Sequence, residues 1–159
     1  MVFSSSGKVH RSTVTGRRGM ISSGHPLASI AGLQILMQGG NAIDAAVATA
    51  VALNVVEPYM SGIGGVGYMH IYDASTDDHT VLDYVGLTPI ATDISYFDAK
   101  LQSRGPSSPL VPGACSGWIE ALRKYGRMDT ITVFQPAIDY AEQGIVMTAK
   151  NAEFFSSNV

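Results

Sequence analysis

The chain has 159 residues, of which 46% are hydrophobic and 14% charged, and its formal net charge is −3. A chain of this length buries about two thirds of the surface that its unfolded form exposes, which suffices for one hydrophobic core but not for two. The small negative charge provides no extended positive field, so nucleic acid is not expected as a partner.

The first 18 residues are predicted to form a flexible, solvated tail. Five of the residues between Lys8 and Arg18 are basic, if histidine is included. No apolar run of signal-peptide length follows Met1. A single cysteine excludes an internal disulfide, so the sequence does not indicate whether the protein is in an oxidising or a reducing compartment. We therefore expect a cytoplasmic protein, or an exported one whose signal peptide is missing from this sequence.

Two adjacent helices are predicted over residues 26–38 and 42–56. Pro26 suits the first turn of a helix, and a glycine pair suits the end of the first helix. Asn41 and Asp44 resemble a reciprocal capping pair at the start of the second helix. The second helix is rich in Ala and Val but shorter than the roughly 20 residues that cross a bilayer. It is therefore expected to be a buried core helix, and no membrane contact is expected.

A β-hairpin is predicted after the helices. Two β-prone runs, at residues 68–72 and 80–84, are separated by polar residues whose composition favours a turn. Residues 86–112 are rich in Pro, Ser and Gly and should cross the surface, with one short helix near 93–101.

Helices are predicted again over residues 114–124 and 136–143. Glycines follow both segments, at Gly126 and Gly144, and glycine commonly ends a helix. With the earlier helices and the hairpin, these elements indicate an α+β fold.

The glycine-rich segment at residues 62–67 satisfies the G-x-G-x-x-G pattern of dinucleotide-binding sites. Such a site needs a strand before the glycines and a helix after them, so that the helix N-terminus faces the pyrophosphate. Here a helix is predicted before the glycines and a strand after them. We expect a close-packed backbone crossing and no cofactor.

Two other patterns could indicate a catalytic or a metal site. Cys115 lies in a G-x-C-x-G sequence, but in α/β-hydrolases the histidine follows the nucleophile, and all four histidines of this chain precede Cys115. It is expected to be a small buried residue. Because no two histidines lie three or four residues apart on one helix, no metal site is expected within the chain.

Seven short segments follow one another in an order found in a known family. They are GHPLAS at residues 24–29, GGNAIDAAVA at 39–48, EPYMSGIGGVGY at 57–68, LDY at 82–84, VPG at 111–113, YG at 125–126 and QPAI at 135–138. Together they resemble the opening of the large subunit of gamma-glutamyltranspeptidases, which cleave or transfer the gamma-glutamyl group of glutathione. The resemblance predicts that residues 19–159 are part of that subunit's domain.

The resemblance implies an N-terminal-nucleophile hydrolase, in which two β-sheets are stacked between helical layers. This chain would supply the incomplete N-terminal part of that sandwich, namely its buried helices and a hairpin. The family's nucleophile is a threonine freed by self-cleavage, whose own α-amine acts as the base. The implied partners are a gamma-glutamyl or related acyl amide and the missing C-terminal small subunit. No catalytic residue is then expected in this chain, and the chain alone should be inactive.

Tyr84 and Val85 are the candidate substrate-binding residues that the resemblance implies. The family's Asp-(Phe/Tyr)-Arg-Glu sequence supplies an arginine that pairs with the substrate's α-carboxylate, whereas this chain has Asp83-Tyr84-Val85-Gly86. Loss of such an arginine costs about 2 to 5 kcal/mol of binding. A changed acyl specificity, as in glutaryl or cephalosporin acylases of the same family, is therefore an alternative. A further alternative is a truncated, non-catalytic fragment with exposed apolar faces.

Overall fold

The computed structural model describes residues 13–93, 95, 105 and 108–157. This part of the chain forms helices and one two-stranded antiparallel sheet, which agrees with the predicted α+β class. In chain order the elements are α1 (Pro26–Met37), α2 (Ala42–Val56), β1 (Tyr68–Asp73), β2 (Asp78–Asp83), α3 (Ala114–Tyr125), α4 (Thr130–Gln143) and α5 (Ala149–Ser157). Most of the predicted tail and most of the helix predicted near residues 93–101 lie outside the described residues.

The first two helices begin at the predicted residues, because a side chain caps the N-terminus of each. His25 is the N-cap of α1, where its Nδ1 accepts the N–H of Leu27 at 3.2 Å, and Pro26 follows as the first helical residue. At the start of α2, Asn41 and Asp44 form the reciprocal capping box that the sequence predicts. Each side chain accepts the backbone N–H of the other residue, which satisfies donors that a helix start leaves unpaired.

Helix α2 is the central element, since it packs against α1, α3 and α4. The helix buries a set of small apolar side chains, which let its neighbours approach closely. These are Ala45, Val47, Ala48, Ala52 and Val56. The predicted burial of this helix is confirmed. In the part of the chain that the structure describes, no helix has both the length and the apolar character to span a membrane.

The carboxylate of Asp44 joins the start of α2 to the segment after α3. The side chain is fully buried. It accepts the backbone N–H groups of Asn41 at 2.8 Å, Arg127 at 3.0 Å and Met128 at 3.3 Å. Asn41 in turn donates its Nδ2–H to the carbonyl oxygen of Tyr125 at 2.6 Å. A buried carboxylate is tolerated when several donors satisfy its oxygens, as they do here.

The predicted hairpin is confirmed, with Tyr68 opposite Asp83 at one end and Asp73 opposite Asp78 at the other. One face of the sheet carries Ile71, which is 8% exposed, and packs towards α3 and the main core. The other face is exposed at every position of both strands. This second face is called the open face below.

The start of α4 differs from the prediction. The helix begins at Thr130 rather than at Pro136, because Asp129 caps it by accepting the N–H of Thr132 at 3.0 Å. Pro136 lies inside the helix, where it removes one backbone hydrogen bond. Its buried position beside the buried Val133, on the face that packs against α2, offsets that loss. Helix α3, in contrast, lies within one residue of its predicted bounds.

Helix α5 has no counterpart in the sequence predictions. Its buried Asn151 donates to the carbonyl oxygen of Val56 at 2.9 Å and accepts the O–H of Tyr59 at 2.9 Å. The ring of Tyr59 also stacks on Phe154 with 4.4 Å between centroids. These contacts join residues more than 90 positions apart, so no local sequence pattern could indicate them.

Candidate functional site

The predicted site residues Tyr84 and Val85 directly follow strand β2, and both are half-buried. Tyr84 donates its backbone N–H to the carbonyl oxygen of Gly67 at 3.0 Å. Val85 donates its backbone N–H to the carboxylate of Asp83 at 2.9 Å. These two hydrogen bonds fix the backbone at the two residues that the sequence analysis gives as candidates.

Glycines at the start of α3 form the surface against which Tyr84 lies. A Cβ atom at Gly117 would collide with the Tyr84 ring, and one at Gly113 would collide with its carbonyl oxygen. A close approach of this kind requires glycine at both positions. The G-x-C-x-G sequence therefore serves to seat Tyr84 between the sheet and α3.

The glycine-rich segment at residues 62–67 connects α2 to β1, which is the order that the sequence predicts. The carbonyl oxygen of Gly65 accepts the N–H groups of Gly113 at 3.0 Å and Ala114 at 2.8 Å. These donors lie at the N-terminus of α3, and because they are already paired they are not free to bind a phosphate. The segment is a close backbone crossing that positions α3 beside Tyr84.

Cys115 is half-buried in the first turn of α3, so the prediction of a buried residue is wrong in degree. Ala114, Gly117 and Trp118 are buried, whereas Cys115 lies at the edge of that buried stripe. The three histidines in the described part form other hydrogen bonds. His25 caps α1, and His70 bonds to His79. The arrangement of a cysteine nucleophile beside a histidine base is not formed by these residues.

Two acids with shifted pKa values lie in the hairpin and on α3. Hydrogen bonds from the side chain and backbone of Ser75 lower the pKa of Asp73, in the hairpin turn. Hydrogen bonds from Arg123 and Lys124 lower the pKa of Glu120, on α3, to about 2. The hydrogen-bond partners of both acids lie in the same turn or helix as the acid itself, and not at Tyr84 or Val85.

An open apolar groove of about 370 Å³ lies between residues 21–23 and the helices α1 and α2. Its lining includes the hydroxyl of Thr49 and two serines but no acid, base or cysteine. The groove therefore offers no group for acid–base chemistry.

The contact between His70 and His79 was missed by sequence reasoning, which considered only helical spacings. Nε2 of His70 lies 3.0 Å from Nδ1 of His79 across the hairpin. The register of a hairpin would have indicated it, because the two residues are diagonal neighbours on the open face. Among the described residues, no group of three or more His, Cys, Asp or Glu side chains is placed to hold a metal ion.

Comparisons with known proteins agree on one family. The family model of gamma-glutamyltranspeptidase matches residues 28–159. An acylase ACY 1 proenzyme from Pseudomonas sp. (strain V22) is 44% identical over 147 residues, which cover 84% of this chain and 26% of the relative. A glutathione hydrolase proenzyme from Bacillus subtilis (strain 168) is 41% identical over 152 residues, which cover 89% of this chain and 25% of the relative.

A solved structure leads to the same family. The crystal structure of the Helicobacter pylori gamma-glutamyltranspeptidase superposes with a TM-score of 0.85 at 36% identity, covering 92% of this chain and 44% of that one. The helices and the hairpin therefore correspond to part of that enzyme's fold. The chain spans about a quarter of the length of the curated relatives named above. It belongs to the gamma-glutamyltranspeptidase family.

Proposed function

We propose that the full-length protein containing this chain cleaves or transfers a gamma-glutamyl or related acyl group of an amide. Family membership over most of the chain carries this proposal. The nucleophile would be the N-terminal threonine of a second subunit that lies outside these 159 residues. The chain itself would contribute core helices and one wall of the substrate pocket at Tyr84 and Val85.

The hydrogen bonds at Tyr84 and Val85 support this division of roles. They hold a short, half-buried segment beside the hairpin. The two backbone N–H groups that form them act neither as a nucleophile nor as a base. An N-terminal threonine carries its own base, because an α-amine has a pKa near neutrality and lies beside the hydroxyl group. The wall then needs only to orient the acyl group.

The test is to produce the full-length protein and to follow self-cleavage and amide hydrolysis together. Two fragments on a denaturing gel, and release of p-nitroaniline from gamma-glutamyl or glutaryl p-nitroanilide, are the expected results. A protein that is folded, remains one chain and hydrolyses neither compound would contradict the proposal.

The residue at position 85 favours a changed acyl specificity as a second candidate function. Valine offers no charge to a substrate α-carboxylate, whereas the arginine of the family pattern does. One of the relatives named above, at 44% identity, is also an acylase. Donors without an α-amino acid group, such as glutaryl amides, would lose nothing at this position.

A Val85→Arg variant tests this second candidate. We expect the ratio of kcat/KM for gamma-glutamyl over glutaryl p-nitroanilide to rise about 30-fold, which corresponds to about 2 kcal/mol for a restored charge pair. The matched control is Val85→Leu, which adds bulk without charge and should leave the ratio unchanged. Equal ratios in both variants would show that position 85 does not read the carboxylate.

A further inference from the structure

Tyr84 and helix α3 are packed so closely that no side chain fits between them. Gly117 is buried, and a Cβ atom on it would lie 2.7 Å from the Cβ of Tyr84 and closer still to Cγ and Cδ1 of the ring. Real Cβ atoms essentially never approach other heavy atoms within 3.0 Å. Rotation about χ1 of Tyr84 would move Cγ and Cδ1 but not Cβ. A methyl group at position 117 would therefore displace the main chain of one of the two segments.

The segment that would move is the one that follows β2. Helix α3 is anchored, because Trp118, Ala121 and Leu122 are buried in the main core. A shift of α3 would disturb that close-packed core. Residues 84–86, in contrast, come after the last residue of the sheet and are only half-buried. Displacement of Tyr84 also moves Val85, since the two residues are consecutive.

We propose that Gly117 is a positioning residue for the acyl group. The space that it leaves lets Tyr84 lie against α3, and this contact determines where Val85 stands in the wall of the substrate pocket. The inference rests on the proposed function, in which residues 84 and 85 form that wall. Because Gly117 is buried against Tyr84 and has no side chain, it acts on the substrate only through Tyr84.

Gly67 confines the outer end of the same ring, but less tightly. A Cβ atom on Gly67 would lie 3.0 Å from Cε2 of Tyr84 and 3.3 Å from its hydroxyl oxygen. These atoms belong to the far end of the side chain, so a shift of a few tenths of an ångström relieves the contact. A methyl group at position 67 should therefore move the ring slightly and the main chain very little. The two glycines provide a large and a small displacement of the same wall.

The experiment measures two rates of the full-length protein and its variants. One is self-cleavage, which involves the threonine but no acyl donor. The other is kcat/KM for gamma-glutamyl or glutaryl p-nitroanilide, whichever the unmodified protein hydrolyses faster. Gly117→Ala should lower kcat/KM about 100-fold, the loss expected when a positioning group is misplaced by about 1 Å, and Gly67→Ala only about 3-fold. Self-cleavage should keep its rate in both variants, whereas general damage to the fold would slow both reactions.

Ser116→Ala is the matched control, because it places an alanine beside Gly117 but changes only an exposed hydroxyl that bonds within α3. Both of its rates should equal those of the unmodified protein. A folded, self-cleaved Gly117→Ala variant with unchanged kcat/KM would overturn this inference and leave the proposed function intact. If Gly117→Ala does not fold, unchanged kcat/KM in Gly67→Ala overturns it instead. An unmodified protein that neither cleaves itself nor hydrolyses a donor would contradict the proposed function and this inference with it.

Discussion

Asp44 is a charged residue in a fully buried position. Its oxygens accept backbone N–H groups from its own helix start and from the segment after α3. Each of those partly buried donors would lose this partner without the carboxylate. The carboxylate therefore acts as a structural cap for two segments at once.

Replacing Asp44 by Ala should destabilise the protein by about 3 kcal/mol, because three partly buried N–H groups lose their acceptor. Equilibrium unfolding in urea measures the change. Glu142→Ala is the control, since this acid is exposed on α4 and should change the free energy of unfolding little. A similar small effect of both substitutions would show that water or another acceptor replaces the carboxylate.

The sequence could predict half of the role of Asp44. Its position three residues after Asn41 indicates a capping box, and the structure confirms that box. Its bonds to Arg127 and Met128 cross more than 80 residues and depend on where α3 ends in space. Likewise, the sequence offers Tyr84 as a candidate residue, but it does not indicate that Tyr84 packs against Gly113 and Gly117.

At the scale of elements, short sequence patterns predict the positions of α1, α2, the hairpin and α3 with small errors at their ends. Their ends are set by caps, by a first-turn proline or by glycines that lie close by in the chain. The predicted start of α4 at Pro136 is wrong, because this proline lies inside the helix. The cap at Asp129 and the burial of Val133 against α2 determine where α4 begins. The cap can be recognised in the sequence, whereas the burial depends on the tertiary fold.

The cap at Asp129 predicts a pH dependence of stability. Hydrogen bonds from the backbone and side chain of Thr132 lower the pKa of Asp129 below the ordinary value of an aspartate. The carboxylate therefore stabilises the folded state fully above that value and loses this contribution as the pH falls through the lower, folded pKa. Asparagine caps helices about as well and does not titrate.

The variant Asp129→Asn should therefore melt close to the unmodified protein at neutral pH and gain relative stability as the pH falls below the ordinary pKa of an aspartate. Melting curves at a series of pH values measure the difference. Asp78→Asn, which removes an acid that caps no helix, is the control and should show less change. Curves of Asp129→Asn that run parallel to those of the unmodified protein would contradict the prediction.

At the scale of the whole molecule, the described elements are arranged around α2, and α5 is attached at its far end. The attachment depends on Asn151, which bonds to Val56 and Tyr59, and on the stacking of Tyr59 with Phe154. Such an element can detach without unfolding the rest of the protein, because it shares few contacts with the core.

Asn151→Ala should release α5 while α1 and α2 stay folded, because it leaves the carbonyl of Val56 without that donor at a cost of about 1 to 3 kcal/mol. Amide hydrogen exchange over residues 149–157 should become faster, with no change over α2. Glu153→Gln, which breaks only an exposed ion pair with Lys150, is the control. Faster exchange throughout the protein would mean that α5 is part of the cooperative unit.

The bonds of Asp44 also bear on how the protein is made. A ribosome that adds about 5 to 20 residues per second needs roughly 4 to 17 s to proceed from Asp44 to Met128, 84 positions later. During that interval α2 has left the exit tunnel with its own capping box but without the partners that later surround its buried acid. The nascent helix must therefore remain hydrated at its first turn, or be held by a chaperone, until the segment after α3 has been synthesised.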